Sequence, residues 1–217
     1  MKMPAHPDTS ALIPLAAILE HDANNLIGKL YAAADWLGDK PDEEALFEGR
    51  LAIAQSLSAV LGLQAVFHLM ALADQTDVSE RLQGFSKPVQ ARLFARLKEA
   101  AGVDAPSPDE RFASTGLPAG ADDLSAALVC AARLMRRRVG NKPAMNLSLH
   151  ALPSGDLQLR LTAGLSPPLD PRESQRPEAL VLASARARLG TMGLSWCEPA
   201  AAEDAWQFTL AARGGGA

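Results

Sequence analysis

The sequence predicts an α+β protein in which two long helices precede a layer of shorter helices and strands. Apolar residues recur every three or four positions through the first 76 residues, which is the period of helices that pack on one side. From residue 77 onward, helical patterns alternate with segments of period two, of which residues 157–161 are the clearest. Strands mixed with flanking helices predict a sheet that carries its helices on one face.

Length and composition limit the class of protein. A chain of 217 residues can hold two modest domains, each with its own core, and the change of pattern predicts them at residues 1–76 and 77–217. Hydrophobic residues make up 48% and charged residues 21%, which is typical of a globular chain. A net charge of −4, and arginines at positions 133–138 without interleaved aromatic residues, argue against a nucleic-acid partner.

Targeting and redox signals favour a cytoplasmic protein. Cys130 and Cys197 lie in apolar surroundings without a CxxC motif, and we predict buried thiols in a reducing compartment. Residues 1–10 lack the apolar core of a secretory signal. We identify no uncharged apolar stretch of about 18 residues, and therefore expect no membrane span.

The first helix follows a capping run at residues 8–10 and is broken by turn residues at 38–42. His21 lies two residues after Leu19, about 200° around the helix from its apolar seam, and is therefore predicted to be exposed. The seam, suited to packing on other helices, consists of Leu12, Leu15, Leu19, Ala23, Leu26, Leu30, Ala33 and Leu37.

The second helix is predicted from about Glu43 to Asp74, with acidic residues at the positive end of its dipole. Between Leu51 and Leu72 it is apolar on much of its circumference, which is more than one antiparallel partner can cover. Two such hairpins forming a four-helix bundle in a dimer would cover this surface. A single hairpin lying on a second domain is the competing explanation.

The second half has a less regular pattern. We predict helices over Lys87–Ala101, Asp122–Val139 and Glu178–Leu189, and a loop over Gly102–Pro108. We predict strands over Arg111–Leu117, Met145–Leu152, Leu157–Thr162, Leu194–Cys197 and Trp206–Leu210.

The residues around His21 are suited to accepting a phosphoryl group. A neutral imidazole on the solvent side of a helix is an accessible nucleophile. Asp22 follows it directly and can polarise the ring, and Asn25 lies four residues on, on the same helical face. An ordinary surface histidine is the alternative interpretation.

The run from His21 to Leu26 resembles the phosphoacceptor box of histidine kinases, and the hairpin resembles their dimerisation and phosphotransfer domain. The second half resembles, in element order, their Bergerat-type ATP-binding domain, an α/β sandwich. The asparagine of the metal-binding helix is missing from Asp122–Val139, and the acidic and glycine-rich boxes are missing at residues 162–166 and 177–182. This combination resembles the dimeric bacterial histidine phosphotransferases of the ChpT type.

The resemblance implies a phosphotransferase of a two-component phosphorelay, in which His21 carries a phosphoryl group between receiver-domain aspartates. It implies a homodimer whose partners are response-regulator receivers, and allows a hybrid histidine kinase among them. No cofactor is expected on this chain, and Mg²⁺ is expected in the receiver's acidic pocket. The implied catalytic residues are His21, Asp22 and Asn25, and the implied partner-binding residues are Ile18, Asn24, Gly28 and Lys29.

Two other functions stay open at this point. One is a response-regulator phosphatase, or a residual histidine kinase. The other is a non-catalytic dimeric adaptor or kinase inhibitor. ATP-dependent kinase activity is not expected, because the residues that would hold the metal, the adenine and the phosphates are missing from the corresponding positions.

Overall fold

The chain has an α+β fold in which a long helical hairpin lies against a second layer of helices and a sheet. The structure, a computed structural model, describes residues 12–38, 41–74, 83–117, 120–139, 144–163, 173–198 and 205–211. The predicted capping run at residues 8–10 and the predicted domain boundary after residue 76 lie outside these ranges.

The hairpin consists of α1 (Leu12–Trp36) and α2 (Glu43–Asp74), as the apolar periodicity predicts. The Asp42 carboxylate accepts a hydrogen bond from the Ala45 backbone N–H at 2.8 Å, which satisfies a donor at the start of α2. The chain is closely packed where the hairpin turns: a Cβ on buried Gly49 would lie 2.7 Å from the side chain of Leu37. Glycine at this position therefore sets the spacing of the hairpin.

The second half follows the predicted order closely. Its helices are α3 (Lys87–Ala101), α4 (Gly120–Val139) and α5 (Pro177–Thr191). Its strands are β1 (Gln83–Gly84), β2 (Val103–Asp104), β3 (Gly116–Leu117), β4 (Met145–Ala151), β5 (Leu157–Ala163), β6 (Leu194–Cys197) and β7 (Ala205–Leu210).

The main sheet of the described chain has five strands in the order β2-β4-β5-β7-β6. β2 pairs with β4 in parallel and the other pairs are antiparallel, with Leu159 opposite Phe208 and Leu161 opposite Trp206. These side chains are buried, whereas the alternate residue Arg160 is exposed. The alternation agrees with the prediction of helices on one face of the sheet.

Two element predictions between α3 and α4 are wrong. Residues predicted as a strand over Arg111–Leu117 form a 3₁₀ turn at Glu110–Phe112 and only the short β3. The turn forms because the Asp109 carboxylate accepts from the Arg111 N–H at 2.9 Å, a local capping bond that competes with strand pairing. The predicted loop over Gly102–Pro108 includes β2, whose pairing with β4 is a long-range contact that local pattern does not predict.

α2 packs against α3, α4 and α5, so one continuous hydrophobic core extends from the hairpin to the sheet. This contact matches the second explanation for the apolar circumference of α2, a hairpin lying on the rest of the chain. It covers one side of the helix: Val66 and Leu69 are buried, whereas Ile53, Leu57 and Phe67 are about half exposed. The four-helix bundle is therefore still a prediction, and so is the division into two domains.

A buried ion-pair network joins three of the packed helices. Glu178, at the start of α5, is 2% exposed, and its Oε1 accepts hydrogen bonds from Arg133 Nε at 3.1 Å and Arg137 Nη2 at 3.2 Å. Arg133 also donates through Nη1 to the Ser58 carbonyl on α2 at 3.4 Å. A Cβ at Gly62 would lie 2.3 Å from the Arg133 guanidinium, so glycine at this position leaves the space that the guanidinium occupies between α2 and α4.

One cysteine differs from its prediction. Cys130 is a buried free thiol on α4, and burial raises its pKa. Cys197 is also free but exposed, because it ends the edge strand β6 on the face away from the helices. Apolar neighbours in sequence did not predict its side because strand side chains alternate between faces.

The expectation that no stretch is apolar enough to span a membrane is wrong for α2. Residues 51–73 contain no Asp, Glu, Lys or Arg, and by length and composition alone the helix from Glu43 to Ala73 passes as a candidate span. Its packing against α3, α4 and α5 accounts for part of this apolar content, and core helices commonly have such a composition.

We expect Glu178→Gln to lower the free energy of unfolding by about 3 kcal/mol at neutral pH, since it removes one partner of a buried ion pair. Burial raises the pKa of Glu178, but Arg137 and Arg133 outweigh it and hold that pKa below its ordinary value. The charged carboxylate therefore stabilises the fold above the ordinary glutamate pKa of about 4.3, and this contribution is lost as the pH falls through the lower folded-state pKa. The difference in free energy of unfolding between Glu178→Gln and the wild type should shrink over that acid range in urea denaturation.

Glu198→Gln, at an exposed glutamate 3.9 Å from Arg186, is the matched control and should change stability little at any pH. A constant difference between Glu178→Gln and wild type across the acid range would contradict the assignment.

Candidate functional site

His21 lies on the exposed face of α1, as its distance from the apolar seam predicts. Leu15, Leu19 and Ala33, on the opposite face, are 1–5% exposed and contribute to the buried side of the hairpin. The apolar seam of α1 therefore packs against the rest of the protein, and the His21 imidazole on the other face is open to solvent.

Asn25 holds the imidazole in one orientation. Its side-chain Nδ2 lies 3.1 Å from His21 Nε2. An amide NH₂ group can only donate, so Nε2 accepts with its lone pair and the ring proton of the neutral imidazole is on Nδ1. The nitrogen that faces Asn25 is therefore the nucleophilic one. Because the two residues are four apart, one helical turn is enough to bring them together.

Asp22 does not contact the ring in this arrangement. It is half-buried on α1, about 100° around the helix from His21, and the described structure contains no hydrogen bond between its carboxylate and the imidazole. Its influence on His21 is therefore that of a nearby negative charge rather than of a hydrogen-bonded partner.

The residues predicted to bind a partner surround the histidine. Asn24, Gly28 and Lys29 are all exposed on α1. A Cβ at Gly28, two turns beyond His21, would meet no atom within 4 Å, so the surface next to the imidazole is open as well as exposed. The side chain of Ile18 lies outside what the structure describes.

Large apolar side chains also reach solvent on the same helix, and the sequence analysis did not identify them as a surface. Ile27, Leu30 and Tyr31 are 50%, 42% and 68% exposed. Leu30 belongs to the predicted seam, yet the hairpin does not bury it. Periodicity identified Leu30 as apolar, but it does not show which apolar positions of a helix are covered by neighbouring elements.

A second histidine has a tertiary partner that the sequence did not reveal. His68 on α2 is 2.7 Å from the Asp123 carboxylate in the first turn of α4, through Nε2. The His68 side chain is 39% exposed and therefore half-buried, and its Nε2 has a hydrogen-bond partner in Asp123. The pair adds a polar contact between the hairpin and α4.

The segments compared with a nucleotide site have other contacts here. α4 contains no asparagine, and α4 and α5 both pack against α2, with Arg133 bonded to Glu178 and to the Ser58 carbonyl. Residues 164–166, compared with the adenine-binding box, lie outside the described ranges. Within those ranges no group of three or more His, Cys, Asp or Glu side chains could hold a metal ion.

Among solved structures, the Acinetobacter baumannii histidine kinase AdeS is similar to this chain, with a TM-score of 0.49 and 13% sequence identity. The alignment covers 90% of this chain and 98% of that one. No protein-family model and no curated protein matches the chain. Since a shared shape does not fix an activity, the chemistry proposed for His21 rests on this chain's own residues.

We expect ¹⁵N NMR of the neutral His21 ring to show the proton on Nδ1 and an unprotonated Nε2, because Asn25 donates to that nitrogen. Asn25→Ala removes the donor and should let the ring populate both tautomers. Asn24→Ala, at the neighbouring exposed asparagine, is the control and should leave the tautomer unchanged. A ring that carries its proton mainly on Nε2 in the wild type would contradict the geometry.

Proposed function

We propose that this chain is a cytoplasmic histidine phosphotransferase that passes a phosphoryl group between the aspartates of receiver domains through His21. The observation that carries the proposal is the exposed imidazole whose Nε2 lies 3.1 Å from the Asn25 side-chain Nδ2. An accessible, oriented and unprotonated nitrogen is what nucleophilic attack on phosphorus requires. The resemblance of residues 21–26 to a phosphoacceptor box supports the same conclusion.

In the proposed step, the Nε2 lone pair attacks the phosphorus of an aspartyl phosphate on the receiver. The N–P bond forms as the P–O bond to the aspartate breaks, the receiver's carboxylate leaves with the electron pair, and the ring proton stays on Nδ1. Asn25 must release Nε2 before the attack, and its amide can then donate to a phosphoryl oxygen. The reverse step delivers the group to the aspartate of a second receiver.

Positioning is the main contribution that this chain makes. Phosphoryl transfer has little covalent chemistry for a protein to perform beyond alignment and stabilisation of negative charge. The charge stabilisation comes, in this proposal, from Mg²⁺ in the receiver's acidic pocket and from Lys29 on the docking face. Asp22 would favour the positively charged ring that forms when the N–P bond is made.

The absence of ATP from the reaction is part of the proposal. Its support is that α2 lies against both α4 and α5, the helices that the resemblance compares with the metal-binding helix and the helix after the lid. At this contact Arg133 and Arg137 of α4 are bonded to Glu178, and Asp123 of α4 is bonded to His68, so these charged side chains already have partners within the protein.

A homodimer is the second part of the proposal. Ile53, Leu57 and Phe67 are 46%, 53% and 53% exposed, and although they are four and ten positions apart they lie within about 80° of one another on α2, on one face of the helix. A second copy of the hairpin would cover this stripe, and a stripe of that kind is unusual on the surface of a monomer.

His21→Ala should abolish uptake of phosphate from a phosphorylated receiver. An exposed residue is replaced, so we expect the free energy of unfolding to change by only about 0.5 kcal/mol. The measurement is the appearance of acid-labile phosphate on the purified protein after mixing with the labelled receiver. His68→Gln and His150→Gln are the matched controls and should take up the label as the wild type does.

The outcomes separate the other functions. Equal labelling of His21→Ala and wild type would overturn the proposal. Loss of phosphate from the receiver without any label on the chain would indicate a phosphatase, and labelling from Mg-ATP alone would indicate a kinase. A cellular function unchanged by His21→Ala would indicate a non-catalytic adaptor.

Leu57→Glu should convert the dimer into a folded monomer. Leu57 is 53% exposed within one chain, so the new carboxylate stays solvated in the monomer but would be buried and unpaired between two hairpins. Light scattering gives the mass and circular dichroism the helix content. Ala91→Glu adds the same charge on the exposed side of α3 and should leave the dimer intact. A wild-type mass near 22.9 kDa at micromolar concentration would contradict the dimer.

A further inference from the structure

A polar cavity lies between α3 and the first turns of α4, away from His21. Its volume is about 190 Å³, and Arg92, Arg96, Ala121, Asp122 and Ser125 are among the residues that line it. Arg92 and Arg96 are four residues apart, so one face of α3 directs two guanidinium groups toward α4.

Two of the donors in this cavity have no acceptor. Ser125 is 3% exposed, and its Oγ makes no hydrogen bond in the described structure. The Nε of Arg96 is also buried without a partner. A buried hydroxyl on a helix usually bonds to a backbone carbonyl of the preceding turn, so an unpartnered one lining a polar cavity points to a ligand.

The electrostatics of the cavity favour an anion. Two arginines contribute positive charge, and the first turn of α4 adds the positive end of its helix dipole. Asp122 is the acidic residue at the cavity. Its side chain is 82% exposed and its Oδ1 lies 3.9 Å from Arg96 Nη1, so it holds the arginine loosely at the mouth.

We propose that this cavity binds a phosphate group, either free inorganic phosphate or the phosphate of a small monoester. Ser125 Oγ and Arg96 Nε donate to its oxygens, and Arg92 adds a second guanidinium at the entrance. The volume holds a tetrahedral oxyanion with a few waters. The proposal uses none of the residues assigned to phosphotransfer, so it stands or falls separately from the function of His21.

The test is titration of the full-length protein with inorganic phosphate at constant ionic strength, followed by ¹⁵N NMR and calorimetry. Saturable shifts are expected at the backbone amides of residues 121–125 and at the Arg96 Nε–H signal. Arg96→Gln should weaken binding at least about tenfold, the equivalent of one charge-assisted contact, and Ser125→Ala should weaken it less. Asp122→Asn should tighten binding, because it removes the carboxylate that competes for Arg96.

Two arginines elsewhere serve as controls. Arg136 lines a separate cavity near the end of α3, where it donates to the Ala101 and Gly102 carbonyls, and Arg176 precedes α5. Arg136→Gln and Arg176→Gln should bind phosphate as the wild type does. Absence of saturable binding, equal binding by Arg96→Gln and wild type, or loss of binding in Arg136→Gln would each overturn the proposal.

The source of the phosphate group is decided by comparing two ligands. Tighter binding of inorganic phosphate would assign free phosphate, and tighter binding of glycerol 3-phosphate would assign a monoester. The same titrations on His21→Ala should give unchanged affinities, which keeps this site distinct from phosphorylation of His21.

Discussion

The ion pairs between Glu178 and two arginines of α4 lie where the hairpin meets the second half of the chain. Glu178 is buried at the start of α5, and Arg133 reaches from it to the Ser58 carbonyl on α2. Gly62 makes this reach possible, since any side chain there would occupy the space of the guanidinium. Through these contacts one buried carboxylate connects α2, α4 and α5, and α2 in turn holds α1 with His21 on its open side.

The same packing divides the apolar circumference of α2 into two surfaces with different consequences. Val66 and Leu69 enter the core shared with the second half, and their burial stabilises the single chain. Ile53, Leu57 and Phe67 face solvent and contribute nothing to that core. A helix of this composition can therefore serve folding with one face and association with the other, and the two roles can be altered by different substitutions.

The candidate nucleophile depends on little of this tertiary structure. The contact between Asn25 and His21 joins residues one turn apart on α1, so it requires only that this helix forms. Tertiary packing supplies a different property, the exposure of the ring and the open surface at Gly28.

Elements whose signals are local could be read from the sequence. The bounds predicted for α2, α3 and β6 agree with the structure, and so does the exposure of His21, because helical and strand periods repeat over a few residues. The contact between His21 and Asn25 could also be predicted, since residues four apart on a helix lie one turn apart on the same face.

Tertiary structure alone decided the rest, because those features join residues far apart in the chain. Arg133 and Glu178 are 45 positions apart, and His68 and Asp123 are 55 apart, so no local period connects them. Cys197 is exposed because its side chain lies on the face of β6 away from the helices, and Leu30 is 42% exposed although it belongs to the apolar seam of α1. The sequence determined which residues are apolar or nucleophilic, and the packing of α2 on α4 and α5 determined which of them face water, because burial depends on neighbours that periodicity does not identify.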